Sequence, residues 1–507
     1  MDGDAERETA AVTTPTLPFR KILIANRGEI ACRIERTLRS LGLGSIAIHH
    51  AVEVDARHVR EADEAVEITG ETPVAAHLDS AQIIEAALRA GADAIHPGYG
   101  FLSENAKFAK AVADAGLVFI GPDAETIELM GDKISARNFA RSQSVSVAPS
   151  AAPTGDIDAF RAAAEAIGFP LLIKAAAGGG GKGMSVVRGA NELAEAARVA
   201  ASEALRSFGD GRIYAETYLE RPRHIEVQVV GDGEGRAIHL FERECSVQRR
   251  FQKIIEEAPA PNLSAKLRED ILTAAVRLAA KGRYRNVGTV EFILGADGRF
   301  FFLEMNTRLQ VEHPVTEMIT GLDLVRIQLE IAAGQGLPLE QEEAVAKGHA
   351  IECRICAEDP ERDFMPETGA IRYLDAPTAS FLRFENALDG GQKVTPDFDP
   401  MLAKLVVHGA DRAEAIARAI ASLHELALLG VKTNIDYLAR VLAHPAFRAG
   451  DLHTAFVREH SAALAPPPLD AKTRDAALIA AALGLREFRD IAFGVPEPHA
   501  TIGGWRN

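Results

Sequence analysis

The stretch EMNTRLQVEHP sets Glu304, Asn306, Arg308, Gln310 and Glu312 two residues apart, with Met305, Thr307, Leu309 and Val311 between them. In an extended chain the five polar groups line one face above an apolar underside. A surface strand would also be polar on that face. A row of acid, amide, base, amide and acid is better suited to phosphate and anion chemistry. Just upstream, GTVEFIL and RFFFLEMN flank Asp297-Gly298, a dipeptide that favours the centre of a tight hairpin turn. Such a turn sets Glu291 directly opposite Glu304. Two carboxylates roughly 5 Å apart on neighbouring strands repel unless something neutralises them. A magnesium ion does so while keeping waters and phosphate oxygens as further ligands. The alternative is a solvated acidic face.

A second chemistry-bearing feature is KAAAGGGGKGMSVV, where four glycines lie between two strand candidates. It is no Walker A loop, because Ala176 stands where the first glycine belongs and Gly183 replaces the metal-binding Ser/Thr after Lys182. Its backbone can still approach phosphates closely and flex as a lid; a merely flexible hairpin is the other reading. GLGSIA at 42–47 matches a dinucleotide fingerprint in letters only. It follows a helix and precedes a strand, the reverse of the order that aims a helix N-terminus at pyrophosphate, so it reads as a cap and turn. Cys353 and Cys356 form a CxxC with no second pair to complete a zinc site. On a strand, that spacing points them to opposite faces.

The elements that must position these groups follow from the pattern. Residues 19–145 alternate strand candidates (KILIAN, SIAIHH, DAIHP, LVFIGP) with helical stretches, a βαβ series around a parallel sheet. Residues 146–218 hold Ala-rich helices around the glycine cluster. From 219, HIEVQVV, GTVEFIL and RFFFLEMN alternate cleanly, which predicts antiparallel sheet with one buried face. APPPLD opens a final segment, 464–507, and residues 1–18 are polar, acidic and read as a disordered arm. At 507 residues the chain is too long for one core and calls for several domains. A net charge of −16 without a Lys/Arg-rich run argues against a nucleic-acid surface. There is no apolar run long enough to span a membrane. Four cysteines in this length make no disulfide framework, as expected for a cytoplasmic protein.

The motifs IANRGEIA, HPGYGFLSEN, GPDAETIELMGDK, KAAAGGGGKGM, ERECSVQRRFQK, EEAPAP, EMNTRLQVEHPVTEMITG and ECRICAED, in this order between residues 19 and 463, resemble those of biotin carboxylases. The resemblance implies a multidomain α/β and α+β architecture. Its parts would be a Rossmann-like N-terminal domain (19–145), an ATP-grasp lid (146–218), and an ATP-grasp core with a biotin carboxylase C-terminal domain (219–463). It implies ATP, Mg2+ or Mn2+, bicarbonate and carrier-bound biotin as cofactors and substrates. Lys133, Lys174 and the lid glycines Gly180 and Gly181 would contact phosphates. Glu216, Tyr218 and Leu219 resemble the adenine hinge, and His224 and Gln248 match nucleotide contacts. Glu291, Glu304 and Asn306 would hold the metal, in agreement with the hairpin. Lys253, Arg308, Gln310, Val311 and Glu312 match a bicarbonate site, and Arg354, with Tyr99 near it, a biotin site.

The implied reaction is ATP-dependent carboxylation of biotin through carboxyphosphate, with Glu312 as general base and Lys253, Arg308 and Arg354 as the other catalytic groups. It is the first half-reaction of an acyl-CoA carboxylase of the acetyl-, propionyl- or methylcrotonyl-CoA type. The rivals are another ATP-grasp ligase and a regulatory homologue that binds ATP without turnover. The chain departs from the pattern at Phe251, where relatives commonly carry histidine. A phenyl ring cannot replace a ring N–H hydrogen bond worth about 0.5–1.5 kcal/mol, so weaker nucleotide binding is expected. No lysine in the sequence lies between two methionines, the usual biotin attachment motif. The end, EPHATIGGWRN, resembles the connector of acyl-CoA carboxylase α chains. The expected partners are therefore a biotin carboxyl carrier and a carboxyltransferase on other chains, with a homodimer or larger complex.

Overall fold

The computed structural model describes residues 17–151, 157–176, 184–468 and 470–481. Most of the expected arm lies outside the described residues, as do Gly180, Gly181 and residues 482–507 with Trp505. Two units divide the chain, 1–464 and 465–507. In the second, residues 471–481 form a helix.

Strands β1 (Lys21–Ile24), β2 (Gly44–His49), β3 (Glu64–Glu67), β4 (Ala94–His96) and β5 (Val118–Phe119) form a parallel sheet in the order β3-β2-β1-β4-β5. Its inner strands are continuous apolar runs because both faces are covered. Ile22 and Ile24 pack with Ile30, Ile34 and Leu38 of helix α1 (Gly28–Ser40), while Leu23, Ile46 and Ile95 pack with Ala86 and Ala87 on the other side. β3, with sequence EAVE, is an edge strand whose charged, largely exposed side chains carry no strand pattern. Charge at an edge is what discourages further pairing.

α1 leaves the carboxyl end of β1, where β2 and β4 diverge to either side, the place where such sheets open a crevice. There Asn26 Nδ2 donates to the carbonyls of Pro97 at 2.8 Å and Tyr99 at 2.7 Å, fixing the HPGYG loop. Gly98 has φ +61°, and a Cβ on it would lie 2.8 Å from Asn26 Nδ2, so only glycine permits the approach.

A second sheet is antiparallel, ordered β6-β9-β7-β8 from β6 (Ser150–Ala151), β7 (Leu171–Ala175), β8 (Ser185–Val187) and β9 (Ile213–Thr217). Helices Ile157–Ile167 and Ala190–Phe208 supply Phe160, Ala164, Leu193 and Ala197 to its core.

The third sheet has eight antiparallel strands. They run β14 (Phe300–Asn306), β13 (Arg285–Leu294), β10 (Arg223–Asp232), β11 (Ala237–Arg249), β12 (Gln252–Ala258), β15 (His349–Cys356), then Met401–Gly409 and Leu382–Asn386. The expectation of one buried face is wrong here. Ile225, Val227 and Val229 pack against helix Ala265–Lys281, yet His224, Glu226 and Gln228 on the opposite face are also buried. Partner side chains satisfy that face, as Arg243 does for Glu226 and Gln228. The expected alternation is present, and both of its faces are buried.

The hairpin also differs from the tight turn expected of Asp297-Gly298. Gly295 N–H donates to Arg299 O at 2.8 Å, so three residues, 296–298, form the loop, with Gly298 at φ +79°. This sets Phe300 against Leu294 and Phe302 against Phe292, one residue out of the expected register. A bulge at Leu303 restores it, and Glu304 does oppose Glu291, with Asn306 opposite Thr289. Nor does the extended chain continue to residue 312: β14 ends at Asn306, and Glu312 precedes helix His313–Thr320 at its N-cap position without a side-chain capping bond.

The C-terminal core gathers Ile351, Cys353 and Ile355 with helices Arg412–Glu425 and Ile435–Ala443. Cys353 is buried within it and Cys356 is half-buried; both are free thiols.

Candidate active site

A cavity of about 860 Å³ lies between the three sheets, and every expected site residue within the described residues lines it. At its floor Lys253 on β12 is the hub. Its Nζ donates to Glu226 Oε2 at 2.6 Å, Glu291 Oε1 at 3.0 Å and Glu312 Oε1 at 2.5 Å. Burial pushes its pKa down, but the three carboxylates outweigh that and hold it well above the usual lysine value. Glu312 shows the converse: burial opposes its charge, and Lys253, Arg354 and Arg243 outweigh that and keep its carboxyl far below the usual range.

Arg354 on β15 joins the same network. Its Nε donates to Glu256 Oε1 at 2.6 Å and its Nη2 to Glu312 Oε2 at 2.9 Å. Glu256 pairs in register with Glu352 across β12 and β15, and both are fully buried. Burial pushes the carboxyl pKa of each upward. Arg308 reaches across to the parallel-sheet unit, its Nε donating to Glu104 Oε2 at 2.8 Å. Its Nη1 donates to Gln310 Oε1 at 2.9 Å and its Nη2 to Asn306 Oδ1 at 3.2 Å. Val311 contributes its carbonyl, which accepts from the buried Lys404 Nζ at 2.9 Å.

Glu291 is the most heavily hydrogen-bonded acid of the set. Oε1 accepts from Asn306 Nδ2 at 2.9 Å and Gln310 Nε2 at 3.2 Å besides Lys253, and Oε2 lies 2.8 Å from His224 Nε2. Gln248 Nε2 sits 2.8 Å from the other ring nitrogen of His224. Burial opposes ionisation of Glu291, but Lys253 and His224 prevail and lower its pKa. Glu304 is more open, with Lys133 Nζ at 3.4 Å from Oε2.

Glu291, Glu304 and Asn306 offer hard oxygen donors at the edge of an open cavity, a set that fits magnesium with waters and phosphates completing the shell. Two tighter groups of ligand-type side chains, His224–Glu226–Glu291 and Glu226–Cys245–Glu312, also occur. The Lys253 ammonium already bonds to Glu226, Glu291 and Glu312, so a second cation there would meet an occupied, positively charged centre.

On the wall formed by the four-stranded sheet, Lys174 forms an ion pair with Glu216, whose other oxygen accepts from Arg137 Nη1 at 2.8 Å. The Glu216 side chain thus ties β7 to β9, and Tyr218 and Leu219 follow at the cavity edge. Tyr99 also lines the cavity, and its buried hydroxyl has no partner among the described residues.

Sequence reasoning missed Glu104, Arg137, Arg243, Glu256 and Lys404. Glu104, Arg243 and Glu256 lie inside motifs already singled out. The signal for Lys404 was available too, as a lysine within the apolar strand MLAKLVV.

Residues 18–127 match the family model described as the biotin carboxylase N-terminal domain, and residues 352–459 match the biotin carboxylase C-terminal domain. Residues 132–340 match the ATP-binding domain of the carbamoyl-phosphate synthase L chain. That middle segment is shared between ligase classes, and the two flanking segments distinguish them. A biotin carboxylase of Halalkalibacterium halodurans is 50% identical over 444 residues, 87% of this chain and 98% of the relative. The methylcrotonoyl-CoA carboxylase alpha subunit of Dictyostelium discoideum is 45% identical over 96% of this chain. This chain spans 70% of the length of that subunit and 60% of its Glycine max counterpart. Among solved structures, the biotin carboxylase domain dimer of Hydrogenobacter thermophilus 2-oxoglutarate carboxylase, a complex with MgADP, ADP and bicarbonate, gives a TM-score of 0.87 at 42% identity, covering 90% of this chain and all of that one. The Campylobacter jejuni biotin carboxylase gives 0.85 at 41%, covering 87% of this chain and 99% of that one. With specific matches on both sides of a shared ATP-binding segment, the chain belongs to the biotin carboxylase family.

Proposed function

We propose that this chain carboxylates carrier-bound biotin at the expense of ATP, with bicarbonate as the carbon source. The observation that carries the reading is the buried Glu312 held by both Lys253 and Arg354, with Arg308 lining the same cavity. Bicarbonate binds to Lys253, Arg308, Gln310 and the Val311 backbone. Its negative charge draws Lys253 off Glu312, which raises the basicity of a carboxylate otherwise too weak to take a proton. Glu312 then removes the bicarbonate proton as a bicarbonate oxygen attacks the γ-phosphorus in line and ADP leaves.

Lys133 and Lys174 meet the charge of the transferring phosphoryl group. Magnesium, held by Glu291, Glu304 and Asn306 when bound, adds charge neutralisation at the phosphates. Lys174 must leave Glu216 to do this; Arg137 stays to hold that carboxylate. His224 and Gln248 contact the nucleotide, while Glu216, Tyr218 and Leu219 form the adenine hinge. Residues 146–218, with Gly180 and Gly181, act as the lid that keeps water from the carboxyphosphate. Carboxyphosphate breaks to carbon dioxide and phosphate, and the phosphate takes the ureido proton of biotin. Arg308 and Arg354 stabilise the resulting enolate oxygen, Tyr99 lies beside the ring, and nitrogen attacks carbon dioxide.

The division at 145, 218 and 463 accompanies this reading, with residues 464–507 as a connector. The biotin comes from a carrier outside these residues, since no Met-flanked lysine occurs among them. An acyl-CoA carboxyltransferase is the partner that consumes the product, and pairing of two copies of this chain is the expected assembly, as in the Hydrogenobacter domain dimer. No helix among the described residues is long and apolar enough to cross a membrane; the cytoplasm is the proposed location. ATP hydrolysis measured with bicarbonate, with and without free biotin, tests the function. Stimulation by biotin together with carboxybiotin formation supports it, and ATP cleavage indifferent to both bicarbonate and biotin overturns it.

A further inference from the structure

Glu35, on α1, is not among the residues that line the active-site cavity. It is 1% exposed, and among the described residues neither of its carboxylate oxygens has a hydrogen-bond partner. An acid so placed is costly to bury, because nothing replaces the water it has lost. Two other groups point at it. Cys32 is one turn away on the same helix face and is also buried. Glu61 is the last residue of helix α2 (Arg57–Glu61), which packs against α1. The Cys32 sulfur and one carboxylate oxygen from each glutamate all lie within 4.8 Å of one another.

The charges around the cluster are few. Arg57 Nε donates to Glu61 Oε1 at 2.6 Å, leaving Oε2 available, and Arg39 Nη2 donates to the Glu61 carbonyl at 2.8 Å. Asp63 adds a further negative charge. Burial, reinforced by Glu61, pushes the Glu35 carboxyl up to about 8, and burial pushes the Cys32 thiol up as well. Without a cation, then, Cys32 and Glu35 hold protons at neutral pH.

We propose that Cys32, Glu35 and Glu61 form a binding site for a thiophilic divalent cation, Zn2+ being the best match. One sulfur and two oxygens leave a fourth tetrahedral position for water. A thiolate ligand selects against Mg2+, so the site is distinct in chemistry from the magnesium ligands of the cavity. Binding is a proton exchange: as the ion enters, the Cys32 thiol and the Glu35 carboxylic acid each release a proton. The ion then meets a thiolate and two carboxylates, with Arg57 and Arg39 offsetting the surplus negative charge. None of the three residues lines the cavity, so the ion's role is to fasten α1 to α2.

The test uses the full chain, reduced and stripped with chelator, titrated with Co2+ as a spectroscopic probe and then with Zn2+. The expected result is one Co2+ per chain with a near-ultraviolet thiolate-to-cobalt band, unaffected by excess Mg2+ and displaced by one equivalent of Zn2+. Cys32→Ser abolishes the band, and Glu35→Gln weakens binding at least tenfold. Glu35→Leu serves as the folding control. It melts no lower than the natural chain without metal, because it removes an unsatisfied buried acid, and it gains no melting shift from Zn2+. A chain without a thiolate band, a band that persists in Cys32→Ser, or affinity indifferent to Glu35→Gln overturns the proposal. Glu35 would then be a protonated buried acid and nothing more.

Discussion

Arg354 Nη2 donates to Glu312 Oε2 at 2.9 Å, so the proposed base and the proposed enolate-holding cation form one ion pair. The two residues should nevertheless separate in partial reactions. Glu312→Gln keeps the shape and loses the base, and bicarbonate-dependent ATP cleavage should fall by about 10²–10⁴-fold. Arg354→Ala leaves Lys253 to hold Glu312, so carboxybiotin formation should fall well beyond any loss of biotin-independent phosphate release. Measuring both reactions on both variants decides the matter; identical defects would remove the assigned roles.

Glu291 and Glu304 face each other across a strand pair but live in different surroundings, and their variants should differ accordingly. Glu304→Gln should abolish ATP turnover with an unchanged melting temperature, because Lys133, its close cation among the described residues, is near the cavity surface. Glu291→Gln should lose turnover and also stability. It leaves the buried Lys253 with one counter-charge fewer, and breaking a buried pair costs about 3–5 kcal/mol. Turnover against Mg2+ concentration, paired with thermal melts, reads both effects.

The alternation of HIEVQVV and RFFFLEMN was legible because period two is a property of the strand itself. What the polar face meets was not legible, since Arg243, Lys253 and Glu291 arrive there from other strands. Glu291 and Glu304 were placed opposite each other from a turn that does not form, and the Leu303 bulge corrected the offset. A bulge of this kind has no side-chain signature. Glu104 and Arg308 are 204 positions apart, so their ion pair exists only through the packing of the parallel sheet on the antiparallel one. The eight ordered motifs carried the family because spacing and residue type there are jointly constrained by one reaction.

Phe251 occupies the second position of the two-residue turn between β11 and β12, with φ +67°, after Arg250 at φ +50°. It is 51% exposed and lines the cavity. Histidine tolerates this left-handed region better than a bulky apolar ring does. Phe251→His should therefore leave the melting temperature unchanged or slightly higher. A recovered hydrogen bond of about 0.5–1.5 kcal/mol should lower the KM for ATP by roughly two- to tenfold, with kcat within a few-fold. A large rise in kcat would instead point to a chain selected for binding rather than turnover.

Acid should weaken the parallel-sheet unit through His58 and His96, both fully buried. Burial lowers His58 to about 4, despite Glu53 nearby and with Arg27 and His77 adding to the shift, and lowers His96 to about 3. In the unfolded chain each takes up a proton near 6.5, so between pH 6.5 and 4 the unfolded state binds more protons than the folded one. Stability contributed by these histidines is complete above pH 6.5 and is lost as pH falls, by about 1.4 kcal/mol per pH unit for each group. Glu35 has the opposite sign: its carboxyl at about 8 lies above the unfolded value, so it costs stability as pH rises through 4.5 to 8. A variant comparison therefore isolates the histidine better than a single curve. Urea midpoints between pH 7.5 and 4.5 should fall less steeply with acid in His58→Gln than in the natural chain. Parallel slopes in the two proteins would mean that His58 is already charged in the folded state, and the burial argument would fail.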